Sequence, residues 1–157
     1  MLRIAGHHDP QLDRSSDALC TALQLTNFWQ DLDRDWQKGR LYVPLEDVEA
    51  EGARMQDLDD RRLTEPWQRV LRRVTARTRL SFDAGREVCD GVRGRLRHEL
   101  RFTWLGGRRI LDRLDGVDYN VFMFRPTLGL ADMPALVLRA LFWNVRGGDR
   151  GTVATKS

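Results

Sequence analysis

Three side chains in the first third of this 157-residue chain, Asn27, Asp31 and Asp35, have the types and spacing to hold a cation against a phosphate. Four helical residues rotate about 400°, so Leu19, Leu23, Asn27, Asp31 and Asp35 form one slowly drifting stripe on a helix. The stripe begins apolar and ends in an amide and two carboxylates, as suits a greasy cavity with a charged mouth. Gln24, three residues before Asn27, lies on the same side.

Asp31 and Asp35 are like charges one turn apart, an arrangement that costs an isolated helix roughly 0.2–0.5 kcal/mol. They also lie in the last turns before Gly39, where the negative end of the helix dipole disfavours carboxylates. Counter-charge is therefore expected, partly from Lys38 and Arg40 and more fully from a bound divalent cation. Oxygen-only ligands on a rigid helix suit Mg²⁺, with Mn²⁺ as a substitute, because these ions keep several waters and bridge to phosphates. From spacing alone, a solvated helix end fits equally well. A calcium loop does not fit. Asp31-x-Asp33-x-Asp35 copies its first ligand positions, but Trp36 stands at the required glycine and Tyr42 at the closing glutamate.

The elements that must carry these residues are helices. Residues 13–38 contain no Pro or Gly and read as one long helix stopped by Gly39. Pro44, at a first helical position, opens a short helix from Leu45 inside a connecting segment. Thr64 is placed to cap a second long helix with Val70, Leu71, Val74, Leu80 and Phe82 on its apolar face, weakening near Gly85 or Gly91. A third runs from about Val92 to Leu114, with Leu96, Leu100, Trp104, Ile110, Leu111 and Leu114 toward a core and Gly106-Gly107 permitting close packing. A last helix begins near Pro134 and runs through Leu136, Leu138, Leu141 and Phe142. The fold class is all-α, with residues 1–146 as one domain and 147–157 as a disordered tail.

Composition sets outer limits. With 41% hydrophobic and 31% charged residues the chain can bury a core. It contains no run of about 20 apolar residues and no apolar signal core at its start, so it reads as soluble and cytoplasmic. Cys20 and Cys89 lack metal-ligand spacing and read as buried free thiols. The formal charge is +3, yet residues 61–109 hold 14 arginines against 5 acidic residues. A solvated helix face is the simplest account of that bias. An anionic ligand, an anionic membrane or nucleic acid are the alternatives.

One resemblance spans most of these features. Ala22-Leu-Gln24-Leu-Thr-Asn27-Phe-Trp-Gln-Asp31-x-x-x-Asp35, followed by Gly39-Arg40-Leu-Tyr42-Val-Pro44, resembles the second aspartate-rich motif of the squalene and phytoene synthases. Tyr119-Asn-Val-Phe-Met-Phe-Arg125-Pro126 is similar to that family's C-terminal region. The Asn-Phe-Trp-Gln-Asp wording looks most like the hydroxysqualene synthase branch among hopanoid-associated squalene synthases. Gln30 stands where the head-to-head condensing branches commonly have Arg, and Arg34 where they commonly have Glu. The match covers nearly the whole chain but only the C-terminal half of the family, and no upstream aspartate-rich helix is found.

The resemblance implies the C-terminal half of an isoprenoid (terpenoid) synthase helical fold acting on a prenyl diphosphate with Mg²⁺. Asp31 and Asp35 would be catalytic metal ligands, with Asn27 assisting and Gln24 lining the same wall. Arg40, Tyr42 and Arg125 would meet the phosphates, although a structural role suits all three as well. Phe28, Trp29, Phe102 and Trp104 would shield a carbocation, where plain core packing is the ordinary alternative. The implied reaction converts presqualene diphosphate to hydroxysqualene or makes squalene from farnesyl diphosphate, with phytoene-type condensation as the alternative. The missing N-terminal half would be needed in cis or trans, so the chain alone is expected to be an inactive fragment. Peripheral contact with the inner membrane face is compatible with hydrocarbon products. The rival reading is a non-enzymatic basic module on anionic membrane or nucleic acid; with an enzyme, no nucleic-acid partner is expected.

Overall fold

A computed structural model of the chain describes residues 9–143, and every regular element among them is helical. The expected tail at 147–157 lies outside the described residues. Helix α1 spans Pro10–Gln30 and starts three residues earlier than its pattern suggests. Asp9 caps it by accepting the Gln11 N–H at 2.8 Å, and Pro10 fits the first position because no intrahelical partner is needed there. The single long helix expected over 13–38 is instead divided at Asp31 (φ −103°, ψ 12°), after which α2 spans Leu32–Trp36. Four-residue hydrogen bonds continue across the break, from Asp31 N to Asn27 O at 2.9 Å and from Asp35 N to Asp31 O at 2.8 Å. The stripe therefore survives as one path with a kink.

Helix α3 (Leu45–Glu51) begins one residue after Pro44, which is the cap rather than the first helical residue. A further helix that the sequence did not announce, α4 (Met55–Asp59), follows it. Helix α5 spans Glu65–Ala84. Thr64 precedes α5 as expected, but its hydroxyl donates to the buried Asp57 carboxylate at 3.0 Å and does not cap the helix. Then come α6 (Arg86–Gly91), α7 (Gly94–Gly116), a 3-10 turn at Leu130–Asp132 and α8 (Met133–Leu141).

The core lies where α1 packs on α5, with α6 and α7 closing around it. Trp67, Val70, Leu71, Val74 and Phe82 of α5 are almost wholly buried, each large apolar side chain contributing about 1.5–3 kcal/mol. Trp29 reaches across from α1 and donates its indole N–H to Thr78 Oγ1 at 2.8 Å, so the buried polar ends are matched. Leu80 does not join this face and is 69% exposed, because the buried row at 71, 74, 78 and 82 leaves it on the opposite side. Of the third helix's expected core residues, Trp104, Leu111 and Leu114 are buried, while Leu96, Leu100 and Ile110 are only half-buried. In α8 only Leu136 and Ala140 are buried. Leu138, Leu141 and Phe142 are exposed because α8 packs chiefly on α7 and presents its other side outward.

Glycine is required at the junction of α5 and α6. A Cβ on Gly85 would stand 2.7 Å from the backbone nitrogen of Leu19 in α1, and backbone cannot swing aside as a side chain can. Gly85→Val is expected to separate α1 from this junction and destabilise the fold by about 1–3 kcal/mol, read as a lower denaturant midpoint.

The thiols also divide. Cys20 is exposed, against expectation, and Cys89 is buried. Burial pushes the Cys89 thiol up to about 12, with the neighbouring Asp90 charge acting in the same direction. Its thiolate is therefore absent near neutral pH. Iodoacetamide at pH 8 should label Cys20 in the native protein and leave Cys89 untouched until the protein is denatured, as read by peptide mass spectrometry.

Candidate functional site

Leu19 is buried, Leu23 half-buried and Asn27 exposed, while Asp31 and Asp35 are partly covered at the kink. The stripe thus runs from core to surface as its residue types require. Beside Leu23 and Asn27, the facing side of α7 leaves a pocket of about 210 Å³. Its walls are Leu23, Thr26, Phe102, Ile110 and Leu128, with Gly106 and Gly107 as its floor and Asn27 as its polar edge. Gly107 is held by contact, because a Cβ there would meet the Phe82 ring at 2.4 Å. The result is an apolar slot whose rim lies one helical turn from the first carboxylate.

Both carboxylates carry a guanidinium. Arg125 grips Asp31 with two bonds, Nε to Oδ1 at 2.6 Å and Nη2 to Oδ2 at 3.1 Å, bringing together residues 94 apart in sequence. Its own pKa is raised, chiefly by the hydrogen bond to Asp31. Arg40 donates to Asp35 Oδ1 at 2.8 Å, and Arg61 to Asp33 Oδ2 at 2.8 Å. The expected counter-charge is therefore present, although Lys38 forms no ion pair among the described residues.

The segment that delivers Arg125 is shaped by two residues in the left-handed region, Asp118 (φ 48°) and Tyr119 (φ 63°). Conformations of this kind cost about 1–3 kcal/mol each and persist only where surroundings hold them. Tyr119 is buried, its hydroxyl donates to the Asp115 carboxylate, and Arg72 lies 5.9 Å from its ring centroid. Downstream, buried Gln30 donates its side-chain amide to the Pro126 carbonyl, which clamps the chain immediately after Arg125. In the sequence Gln30 stands out only as a departure from a family pattern, because its bond to Pro126 joins residues 96 apart and leaves no local signal.

The remaining expected site residues divide. Asn27 edges the pocket, whereas Gln24 is exposed and is not among the pocket's lining residues. Tyr42 stacks face to face on Phe28, with centroids 4.0 Å apart, so each ring is occupied by the other. Trp29 and Trp104 are buried core residues with their indole N–H groups satisfied. Of the four candidate cation-shielding aromatics, Phe102 lines the pocket. Thr103, Gly106 and Leu128 also line it, a role that no local pattern signals beyond the glycine pair's promise of close packing.

Two hard-oxygen carboxylates one turn apart suit Mg²⁺ or Mn²⁺ in type. Among the described residues, however, no three His, Cys, Asp or Glu side chains gather into a metal cluster. The pair fits as one side of a site whose other ligands are water, phosphate oxygen or a facing wall.

The arginine fork itself can be measured. Both partners are about a third exposed, so solvent screening limits its worth. A double-mutant cycle of Arg125→Gln and Asp31→Asn by denaturant unfolding should give a coupling of about 1 kcal/mol that shrinks with added salt.

A family model described as squalene/phytoene synthase matches residues 1–132. Phytoene synthase 3, chloroplastic, of Zea mays is 33% identical over 128 residues, covering 79% of this chain and 30% of its own length. Phytoene synthase 1, chloroplastic, of Arabidopsis thaliana is 30% identical over 112 residues, covering 71% of this chain and 26% of its own length. Among solved structures, squalene synthase HpnC from Alicyclobacillus acidocaldarius aligns with a TM-score of 0.70 at 41% identity, over 73% of this chain and 44% of that one. The chain thus spans about a third or less of these curated relatives and under half of the solved structure.

Proposed function

This chain belongs to the squalene/phytoene synthase family, and on that premise we propose that it forms one wall of a Mg²⁺-dependent site acting on a prenyl diphosphate. The observation that carries the reading is the apolar slot between α1 and α7 with Asn27 at its edge and Asp31 one turn beyond. A polyprenyl chain needs a dry slot, and a diphosphate needs cations at its mouth. Both are met along one stripe.

In this reading Asp31 and Asp35 hold the metal, with Asn27 assisting. Bound there, Mg²⁺ supplies neutralisation of the departing diphosphate. Arg125 and Arg40 occupy the carboxylates without substrate and turn their remaining N–H groups toward phosphate oxygens when it arrives. Leu23, Ile110, Leu128 and the Phe102 ring exclude water from the hydrocarbon and orient it. The stacked Tyr42 fixes Phe28 and positions the Gly39–Pro44 segment, a structural part in place of phosphate contact. The remaining oxygen ligands come from beyond the described residues, in cis or in trans, and the isolated 157-residue chain is inactive.

Within the family we assign the squalene branch: conversion of presqualene diphosphate to hydroxysqualene, or formation of squalene from farnesyl diphosphate. Gln30 supports the first of these, because it is committed to the Pro126 carbonyl, a bond from a neutral amide in the place where Arg is common in condensing relatives. Phytoene-type condensation is the reading it displaces. The basic-module reading loses support from the ion pairs. Arg69, Arg73, Arg77, Arg79 and Arg101 of the arginine-rich segment each face a carboxylate within the fold.

Products from presqualene, farnesyl and geranylgeranyl diphosphates, identified by mass spectrometry with the natural full-length polypeptide containing this sequence, test the assignment. Hydroxysqualene or squalene is expected, and phytoene alone would overturn the branch. EDTA should abolish turnover, and Asp31→Asn and Asp35→Asn should each lower kcat by at least about a hundredfold. Unchanged turnover in EDTA would sink the metal reading.

A further inference from the structure

Phe102 stands between two cavities. One is the apolar slot of about 210 Å³ between α1 and α7. The other is an open cleft of about 520 Å³ between α7 and α8, floored by Val137, Ala140 and Leu141, and the Phe102 ring lines both. Helical spacing accounts for the sharing, because Arg95, Glu99, Phe102, Gly106 and Ile110 are three or four residues apart and follow one face of α7. At about 1.5 Å of rise per residue, that face extends about 12 Å from Phe102 to Ile110 and about 10 Å the other way to Arg95. Slot and cleft thus lie end to end along one helix, with the ring between them.

The slot is small for a hydrocarbon ligand. Pockets that enclose a whole small molecule commonly measure roughly 300–1,000 Å³. Whatever ends the slot therefore decides how much of a polyprenyl chain enters it. Through the floor at Gly107 there is no way on, because the Phe82 ring and the Leu23 side chain are packed against it. Toward the cleft the obstacle is Phe102, a side chain without polar atoms that packs against the core from a half-buried position. Apolar surface resumes beyond it on α8. At the far end of the cleft Arg95 donates to Glu99 at 2.6 Å, so those two charges answer each other.

We propose that Phe102 is a specificity-determining residue for hydrocarbon length. Its ring ends the slot, and the cleft beyond is the space a longer chain enters once the ring is made smaller. The inference rests on the prenyl-diphosphate reading and adds to it a residue that selects between chains differing by one isoprene unit. The ring acts here through its bulk, a part distinct from shielding a cation, so tryptophan retains the function and alanine loses it.

Affinities of the natural full-length polypeptide for farnesyl and geranylgeranyl thiodiphosphate with Mg²⁺, measured by isothermal titration calorimetry, test this without turnover. The parent is expected to favour the farnesyl analogue. Phe102→Ala should shift the affinity ratio toward geranylgeranyl at least about tenfold, since one methylene in an apolar pocket already discriminates by about 10–200-fold. Phe102→Leu should shift it less, and Phe102→Trp should keep the farnesyl preference. Val137→Trp, which fills the cleft and not the slot, should leave the parent's ratio unchanged and cancel the gain in Phe102→Ala.

An unchanged ratio in Phe102→Ala, a gain that Val137→Trp does not cancel, or a parent that favours geranylgeranyl would overturn the proposal and leave the diphosphate site standing. Failure of the parent to bind either analogue would sink the prenyl-diphosphate reading and this inference with it. Where Phe102→Ala lowers the thermal midpoint too far for binding to be read, Phe102→Leu carries the comparison, and a leucine ratio equal to the parent's would overturn the proposal.

Discussion

Carboxylates at the negative end of a helix are an electrostatic liability, and the grip of Arg125 on Asp31 is how this molecule contains it. The fork joins two places 94 residues apart, and neighbouring structure is arranged around that join. Helix α1 kinks at the residue being held. Two left-handed residues, Asp118 and Tyr119, turn the chain after α7 so that it returns to α1. Gln30, next to Asp31, takes the carbonyl next to Arg125, so both sides of the ion pair have a second tether. Without the fork, the segment after α7 would have little reason to lie where it closes the apolar pocket with Leu128.

The same solution recurs across the fold. A +3 chain with a dense run of arginines suggests an anion-seeking surface, but most of the run is directed inward or sideways onto acidic residues of adjacent elements. Buried Asp47 meets Arg73 and Arg77, buried Asp132 meets Arg109 and Arg113, and Asp57 meets Arg54 and Arg62. The Gly129 N–H and these guanidiniums hold Asp132 below the usual carboxylate range. Arginine suits such joints because its planar fork bonds two oxygens, or two carboxylates, at once. Arg79 bonds both Asp112 and Asp115.

Periodicity made the long helices legible, and with them the stripe from Leu19 to Asp35. It located α5 and α7 within two residues and placed Asn27 and Asp31 on one path. What it missed has physical reasons. The break at Asp31 sits inside an unbroken helical pattern, because its signal is a tertiary contact with Arg125 and no local propensity. Helix α4 is short and its defining residue, Asp57, is a buried acid, which hydrophobic patterning cannot find. Leu80 falls on the exposed side because an apolar residue at helical spacing does not say which of two faces is covered. Gln24 follows the same rule in reverse, sharing a helical side with Asn27 while facing past the pocket. Aromatic identity was the weakest guide: Trp29 and Trp104 are core, Tyr42 and Phe28 satisfy one another, and Phe102 reaches the slot.

The paired glycines under that slot differ in what mutation can make of them. A glycine codon is a single base change from alanine or valine, so the size of the pocket lies within easy evolutionary reach. At Gly107 the route is closed, because a methyl group would strike the Phe82 ring and the Leu23 side chain together. At Gly106 a methyl group meets only the end of the Leu128 side chain, at 3.0 Å, which can rotate away. Neighbouring positions in one helix thus play opposite parts, one preserving the fold and the other leaving the shape of the bound hydrocarbon open to selection.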